Sequence, residues 1–113
     1  MTPGKLNLTC PQGSTFSKTL TYKIDDSAVD LTGYDARLQV REFHYSEDPV
    51  VNISSGNGIT LGGSAGTIDI LLSASDTQEL IAGNYVYDLE LVVSGTVTRL
   101  IEGNFIVTPE VTR

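Results

Sequence analysis

The sequence is poor in the residues from which active sites are usually built. Its 113 residues include no tryptophan, one cysteine, one histidine and one methionine. An enzyme site needs a nucleophile with its base, paired carboxylates in a cleft, or a set of metal ligands. His44 stands alone, without a second ligand beside it, which favours a loop residue over a metal site or a general base. These absences predict a protein that is not an enzyme and that binds neither a cofactor nor a metal ion.

The single cysteine also excludes an internal disulfide. Cys10 continues an alternation that begins at Leu6 and Leu8, and this pattern predicts a small buried apolar side chain. No run of apolar residues approaches 18, and no signal peptide is recognisable, so the sequence predicts neither a membrane span nor secretion.

Basic residues are scarce as well. Seven lysines and arginines stand against fourteen aspartates and glutamates, and the net charge is −7. This balance argues against DNA, RNA or an anionic membrane as the main partner. Arg37 and Arg41 share the solvent face of one predicted strand. They pair with carboxylates on the next strand or they contact a partner, and the sequence favours the first alternative.

What the sequence has in abundance is the alternation of apolar and polar residues that is typical of β-strands. The clearest case is residues 85–107, in which two β-rich runs flank Ser94 and Gly95. Two such runs separated by two turn residues predict a β-hairpin. Residues 85, 87, 89, 91 and 93 of the first run would face the core.

The two-residue turn also predicts how the two strands pair. Its register places Glu90 opposite Arg99, a cross-strand pair of opposite charge. Continued unchanged, this register would turn Phe105 toward solvent. A one-residue bulge at residues 102–103 would place Phe105 inside, opposite Tyr85, and a glycine within a strand is a common site for a bulge.

The only helical candidate is residues 73–83. Ser75 and Gln78 fit a capping box, Leu80 and Ile81 would face the core, and the helix is expected around residues 76–82. With about seven strands and this one short helix, residues 1–113 are predicted to form a single all-β domain. The frequent turn signals between these strands favour an antiparallel β-sandwich.

The chain shows two resemblances to known families. Residues 76–87 resemble the corner between strands E and F of immunoglobulin-like domains, with Tyr85 as the corner tyrosine and Tyr87 in place of the second cysteine. Because the disulfide and the core tryptophan are absent, an antibody-type domain is excluded. More of the chain is covered by a second resemblance, which rests on residues 31–41 (LTGYDARLQVR), 85–91 (YVYDLEL), 99–107 (RLIEGNFIV) and 109–113 (PEVTR).

In this order, these segments resemble a family of small virion proteins of tailed bacteriophages, and they are similar to the N-terminal domain of phage upper-baseplate proteins. The resemblance implies a non-enzymatic β-sandwich module that docks on other virion proteins at the tail, neck, baseplate or fibre attachment and is present in several copies. One alternative is a capsid decoration protein on the phage head. A carbohydrate-binding β-sandwich module is the other, weakened by the lack of tryptophan.

The candidate interface residues follow from this hypothesis. Val86 and Val92 on the first hairpin strand, with Val97 and Ile101 on the second, are predicted to form an apolar stripe on the solvent face, where Asp88 would face Ile101. Either the stripe is an interface of a homo-oligomer, trimer or larger, or the chain termini cover it. Further candidates are Arg37, Arg41 and two aromatic residues of one loop, Phe43 and Tyr45, which would contact a partner or cover the end of the core.

Overall fold

The computed structural model describes residues 4–111, and within them the chain is built almost entirely of β-strands. One short helix, α1, comprises Ala74–Gln78, and a single 3-10 turn comprises Gly63–Ala65. The strands are β1 (Gly4–Lys5), β2 (Leu8–Pro11), β3 (Phe16–Thr21), β4 (Lys23–Ile24), β5 (Ser27–Ala28), β6 (Asp35–Arg41), β7 (Val51–Ser55), β8 (Gly58–Leu61), β9 (Thr67–Leu72), β10 (Gly83–Val93) and β11 (Thr96–Thr108). The prediction of an all-β fold is confirmed.

Most of these strands belong to one continuous sheet that curls into a half-barrel. Its order is β1-β11-β10-β6-β7-β8-β9-β3, and β2 also pairs with β11, in parallel. The curl brings together strands that lie far apart in this order, since the rings of Phe16 on β3 and Phe105 on β11 pack edge to face with their centroids 5.6 Å apart. The apolar faces of the curled sheet therefore enclose one core.

That core contains most of the residues that the period of two assigned to it, but Val93, near the hairpin turn, is only partly buried and lies outside the core. Tyr85, Tyr87, Leu89 and Leu91 of β10 are all buried. Cys10 is fully buried, as predicted, and its burial raises the pKa of the thiol. Ile24 continues the alternation of Phe16, Leu20 and Tyr22, which predicts a core position for it, but it is 52% exposed. The chain leaves the main sheet after Thr21 and forms the separate two-stranded ribbon β4–β5.

The long hairpin β10–β11 has the predicted turn but a different bulge. Near the turn the register is as expected, with Glu90 opposite Arg99, and at the far end Tyr85 does lie opposite Phe105. The extra residue is Leu100, however, rather than one of residues 102–103, because Leu89 is the next paired residue and faces Ile101.

The position of this bulge changes which side chains face the core. Leu100 and Ile101 both pack against it, so the bulge adds two large aliphatic side chains to the buried surface. Asp88 consequently lies opposite Glu102, and the prediction that it faces Ile101 was wrong.

Gly103 is required for a different reason from the predicted one. A Cβ atom built on Gly103 would lie 2.1 Å from the carbonyl oxygen of Leu6. The segment between β1 and β2 crosses the hairpin at this point, where the Leu6 N–H donates to the Glu102 carbonyl at 3.0 Å and the Tyr87 hydroxyl donates to the Leu6 carbonyl at 2.7 Å. Glycine thus permits the N-terminal segment to lie directly on β11.

Because the hydroxyl of Tyr87 is buried, the fold is expected to lose stability at alkaline pH. Burial raises the pKa of Tyr87 to about 12, whereas a tyrosine in the unfolded chain has its ordinary value near 10. The contribution of Tyr87 is therefore complete below pH 10 and is lost as the pH rises from about 10 to about 12. We expect the free energy of unfolding to fall by about 2 kcal/mol over this interval.

Urea unfolding at a series of pH values would measure this loss. The variant Tyr87→Phe should unfold with a much weaker dependence between pH 10 and 12, while Tyr45→Phe should behave like the parent because Tyr45 is 84% exposed. Equal pH dependence in the parent and Tyr87→Phe would contradict the assignment.

The helix begins and ends earlier than predicted. Its N-cap is Ser73, whose hydroxyl accepts from the Asp76 N–H at 3.1 Å, and the last helical residue is Gln78. Leu80 is buried as expected, but Ile81 is 78% exposed, because the helix has ended and the chain is turning toward β10. The Tyr85 hydroxyl donates to the Ile81 carbonyl at 2.5 Å, so this side chain holds the segment that connects α1 to β10.

Candidate docking surfaces

A polar depression of about 720 Å³ lies on the outer face of the half-barrel, on strands β6, β10 and β11. We call it the charged groove. The side chains on this face alternate with those in the core, and the strand register arranges them in three rows across the sheet: Arg37–Glu90–Arg99, Gln39–Asp88–Glu102 and Arg41–Val86–Asn104. Lys5 of β1 extends the second row, because it lies beside Glu102.

Ion pairs connect the charges of the groove. Arg37 Nε lies 2.7 Å from Glu90 Oε1, and Arg99 Nε lies 3.4 Å from Asp88 Oδ2. Glu102 forms an ion pair with Lys5 and also lies near Arg99. Because these pairs are partly exposed to water, each contributes little to folding stability.

The carboxyl groups of the groove differ in their electrostatic environment. The hydrogen bond from Lys5 lowers the pKa of Glu102. Partial burial, together with the nearby Glu90, raises the pKa of Asp88, and Arg99 opposes this effect only in part. Burial thus disfavours the charged form of Asp88, whereas Lys5 favours the charged form of Glu102.

The two arginines that sequence reasoning singled out have different roles. Arg37 pairs with a carboxylate on the next strand of the sheet, as expected. Arg41 does not: its guanidinium donates to the carbonyls of Ser46 and Glu47 at 2.7 and 2.8 Å, and to Gln39 Oε1 at 2.7 Å. Arg41 therefore fixes the loop that follows β6, and His44 of that loop lies at the edge of the groove.

The predicted apolar stripe is interrupted in the structure. Val92 and Val97 are cross-strand partners near the tip of the hairpin, and Val97 is 49% exposed. Val86 is separated from them by the two charged rows. Ile101 does not belong to the stripe, since the bulge at Leu100 turns it toward the core.

The aromatic residues of the loop after β6 form an exposed pair. The rings of Phe43 and Tyr45 are stacked with centroids 5.4 Å apart and planes 5° from parallel. They are 49% and 84% exposed, so they project into solvent rather than covering the end of the core.

Sequence reasoning missed a second apolar site. Val50 and Ile81 are 43% and 78% exposed, and they line a depression of about 490 Å³ beside Tyr85. The sequence feature that indicated an exposed Val50 was its position directly after Pro49, at the end of a loop. Ile81 could be recognised only once the helix was known to end at Gln78.

Between residues 4 and 111 no group of three or more histidine, cysteine, aspartate or glutamate side chains is arranged to bind a metal ion. The helices in this part of the chain are all too short and too polar to span a membrane.

Comparison of the sequence with protein-family models and with curated proteins found no match. The resemblance to phage virion proteins therefore stays a hypothesis that rests on the segments quoted above.

Proposed function

We propose that the protein is a non-enzymatic structural component of a tailed-phage virion, which docks on other virion proteins at the tail, neck, baseplate or fibre attachment. The observation that supports this proposal is the resemblance of four segments in their order along the chain. Within residues 4–111 these segments are the strands β6, β10 and β11 and residues that flank them, which form most of the charged groove and the long hairpin. Thr112 and Arg113 of the last segment lie outside the described residues.

The exposed apolar residues also support a docking role. Phe43 and Tyr45 form a stacked pair in solvent, and at the hairpin tip the exposed Val97 lies opposite the partly buried Val92. Aromatic side chains are enriched in protein–protein interfaces. Two separate apolar pairs suit a small module that bridges two neighbours in an assembly.

An immunoglobulin-like sandwich is the finer form of this proposal. The bond from Tyr85 to the Ile81 carbonyl supports it, because that contact is typical of the corner in such domains. The strands from β1 to β3 form one continuous curled sheet, whereas a sandwich consists of two separate sheets. Under this proposal the protein is a sandwich whose two sheets are joined along one side through β7 and β8.

Labelling the protein in intact virions would test the proposed function. A gold-labelled antibody against the chain, viewed by electron microscopy, should mark the tail, neck, baseplate or fibre attachment of purified particles. Labelling over the head would replace the proposal with the capsid decoration alternative. Purified particles that lack the chain altogether would refute both.

The pair Val92–Val97 gives a prediction about incorporation. The double variant Val92→Asp with Val97→Asp should fold like the parent, since both side chains lie on the outer face at the end of the hairpin. We expect it to be missing from particles, because each buried valine contributes roughly 1.5 kcal/mol to a contact and a carboxylate there is unpaired.

Incorporation would be measured by quantifying the chain in particles assembled from parent or variant protein. Val92→Thr with Val97→Thr is the matched control, because it keeps the side-chain shape without adding charge. If the double aspartate variant enters particles normally, the Val92–Val97 pair is not an interface.

A further inference from the structure

One element of the fold does not belong to the half-barrel. The ribbon β4–β5 pairs only with itself, and its six residues, from Lys23 to Ala28, are all exposed. Its base is fixed by backbone bonds, in which the Tyr22 N–H donates to the Gly66 carbonyl and the Val29 N–H donates to the Tyr22 carbonyl. An isolated two-stranded ribbon is only marginally stable in water, and these bonds hold the base of this one. The tip of the ribbon projects into solvent.

The tip of the ribbon bears two adjacent carboxylates. Asp25 and Asp26 form the two-residue turn, and both have positive φ, at 52° and 66°. Asparagine and glycine suit such a turn better, without the repulsion between two neighbouring negative charges. Neither aspartate forms an ion pair with another residue between 4 and 111. The turn itself therefore does not explain these charges.

The charged groove has the complementary composition. Four of the seven lysines and arginines of the chain line it, namely Lys5, Arg37, Arg41 and Arg99, together with the three paired carboxylates. The terminal nitrogens of Arg37 have no hydrogen-bond partner among residues 4–111, so they are free to donate to a second molecule. The groove is therefore slightly positive, while the remainder of the surface is strongly negative.

We propose that the acidic tip of the ribbon of one copy docks in the charged groove of a second copy. No residue of the ribbon lines the groove of its own chain, so the two surfaces are separate and both remain available. A contact between two different surfaces of identical chains is heterologous, and it generates rings or filaments. The inference concerns the purified chain and is independent of the virion assignment.

The charge distribution favours a second copy of the chain as the molecule that fills the charged groove. A chain with a net charge of −7 repels its own copies at most orientations, and the groove is the surface where an acidic element is attracted. The volume of about 720 Å³ lies within the range of pockets that bind small ligands, which suits a two-residue tip rather than a whole domain face.

Two complementary variants test the contact. Asp25→Asn with Asp26→Gly removes both charges and introduces the residues that suit the turn, so this ribbon variant should fold at least as well as the parent. Arg37→Gln with Arg99→Gln removes two positive charges from the groove. A third variant, Glu42→Gln with Glu79→Gln, is the matched control, because it removes two negative charges outside the ribbon.

Multi-angle light scattering and sedimentation would measure association up to a concentration of about 1 mM. The parent and the control should associate at about 0.05 M salt and dissociate at about 0.5 M, because screening weakens a contact between charges. The ribbon variant and the groove variant should each associate about tenfold more weakly or stay monomeric. Mixed in equal amounts, they should form a one-to-one dimer, because one supplies the groove and the other the tip.

Three results would overturn the proposal: a parent that is monomeric at every concentration, a ribbon variant that associates like the control, or an association that strengthens with salt. The last result would indicate an apolar contact, such as the Val92–Val97 pair. Because these measurements use purified protein, their failure would leave the location of the chain in virions to be decided by the labelling experiment.

Discussion

Tyr85→Ala should lower the free energy of unfolding by about 3–5 kcal/mol, which is the usual cost of truncating a large aromatic side chain in a core. The ring of Tyr85 is buried opposite Phe105, and its hydroxyl donates to the Ile81 carbonyl at 2.5 Å. The variant loses the packing of β10 against the core and also the contact that fixes the corner after α1. Urea unfolding followed by circular dichroism would measure the change.

Two variants divide this effect into its parts. Tyr85→Phe keeps the ring and removes only the hydroxyl, so we expect a loss of about 0.5–1.5 kcal/mol. Tyr45→Ala removes an aromatic ring that is 84% exposed, and it should change stability by less than about 0.5 kcal/mol. A Tyr85→Ala protein as stable as Tyr45→Ala would refute the corner assignment.

Gly103→Ala should be the most damaging single-methyl change in the chain. The added Cβ would lie 2.1 Å from the Leu6 carbonyl oxygen, so the segment between β1 and β2 would have to move away from β11. That movement breaks the bond from Tyr87 to the Leu6 carbonyl and leaves a buried hydroxyl without a partner. We expect a loss of about 1–3 kcal/mol from overpacking, and more if the hydroxyl stays unpaired.

The matched control is Asn104→Ala. Asn104 is the next residue of β11, its side chain is exposed, and its backbone N–H, which donates to Asn7 Oδ1, is retained in alanine. Its stability should therefore be close to that of the parent. Hydrogen exchange provides a second measurement, because Gly103→Ala should speed exchange at the Leu6 amide. Unchanged exchange and stability would show that the N-terminal segment does not cross at Gly103.

Features that depend on neighbours in the sequence could be predicted from it. The two-residue turn at Ser94 and Gly95 determines the first pairs of the hairpin, because short turns allow few registers. The period of two placed Leu89 and Leu91 in the core. The same period placed Tyr85 in the core, but the bond from its hydroxyl to the Ile81 carbonyl, four residues back along the chain, is seen only in the structure.

Features that depend on distant contacts could not be predicted. The bulge was expected because Phe105 had to face inward, but any position between Arg99 and Phe105 satisfied that condition. The bulge lies at Leu100, because Leu100 and Ile101 then both pack against the core. Ile81 was misplaced for a local reason, since α1 is capped at Ser73 and has already ended at Gln78.

The charged groove is likewise a product of tertiary structure. Lys5 and Glu102 are 97 residues apart in sequence and meet only because β1 pairs in parallel with β11. The alternation of polar residues showed which face of each strand is exposed, but strand order decides which charges become neighbours. By itself the sequence determined the all-β class, the core face of β10 and the hairpin turn, all through local geometry. The curl of the sheet, the glycine crossing and the clustering of four basic side chains arise from long-range pairing, which a local pattern does not encode.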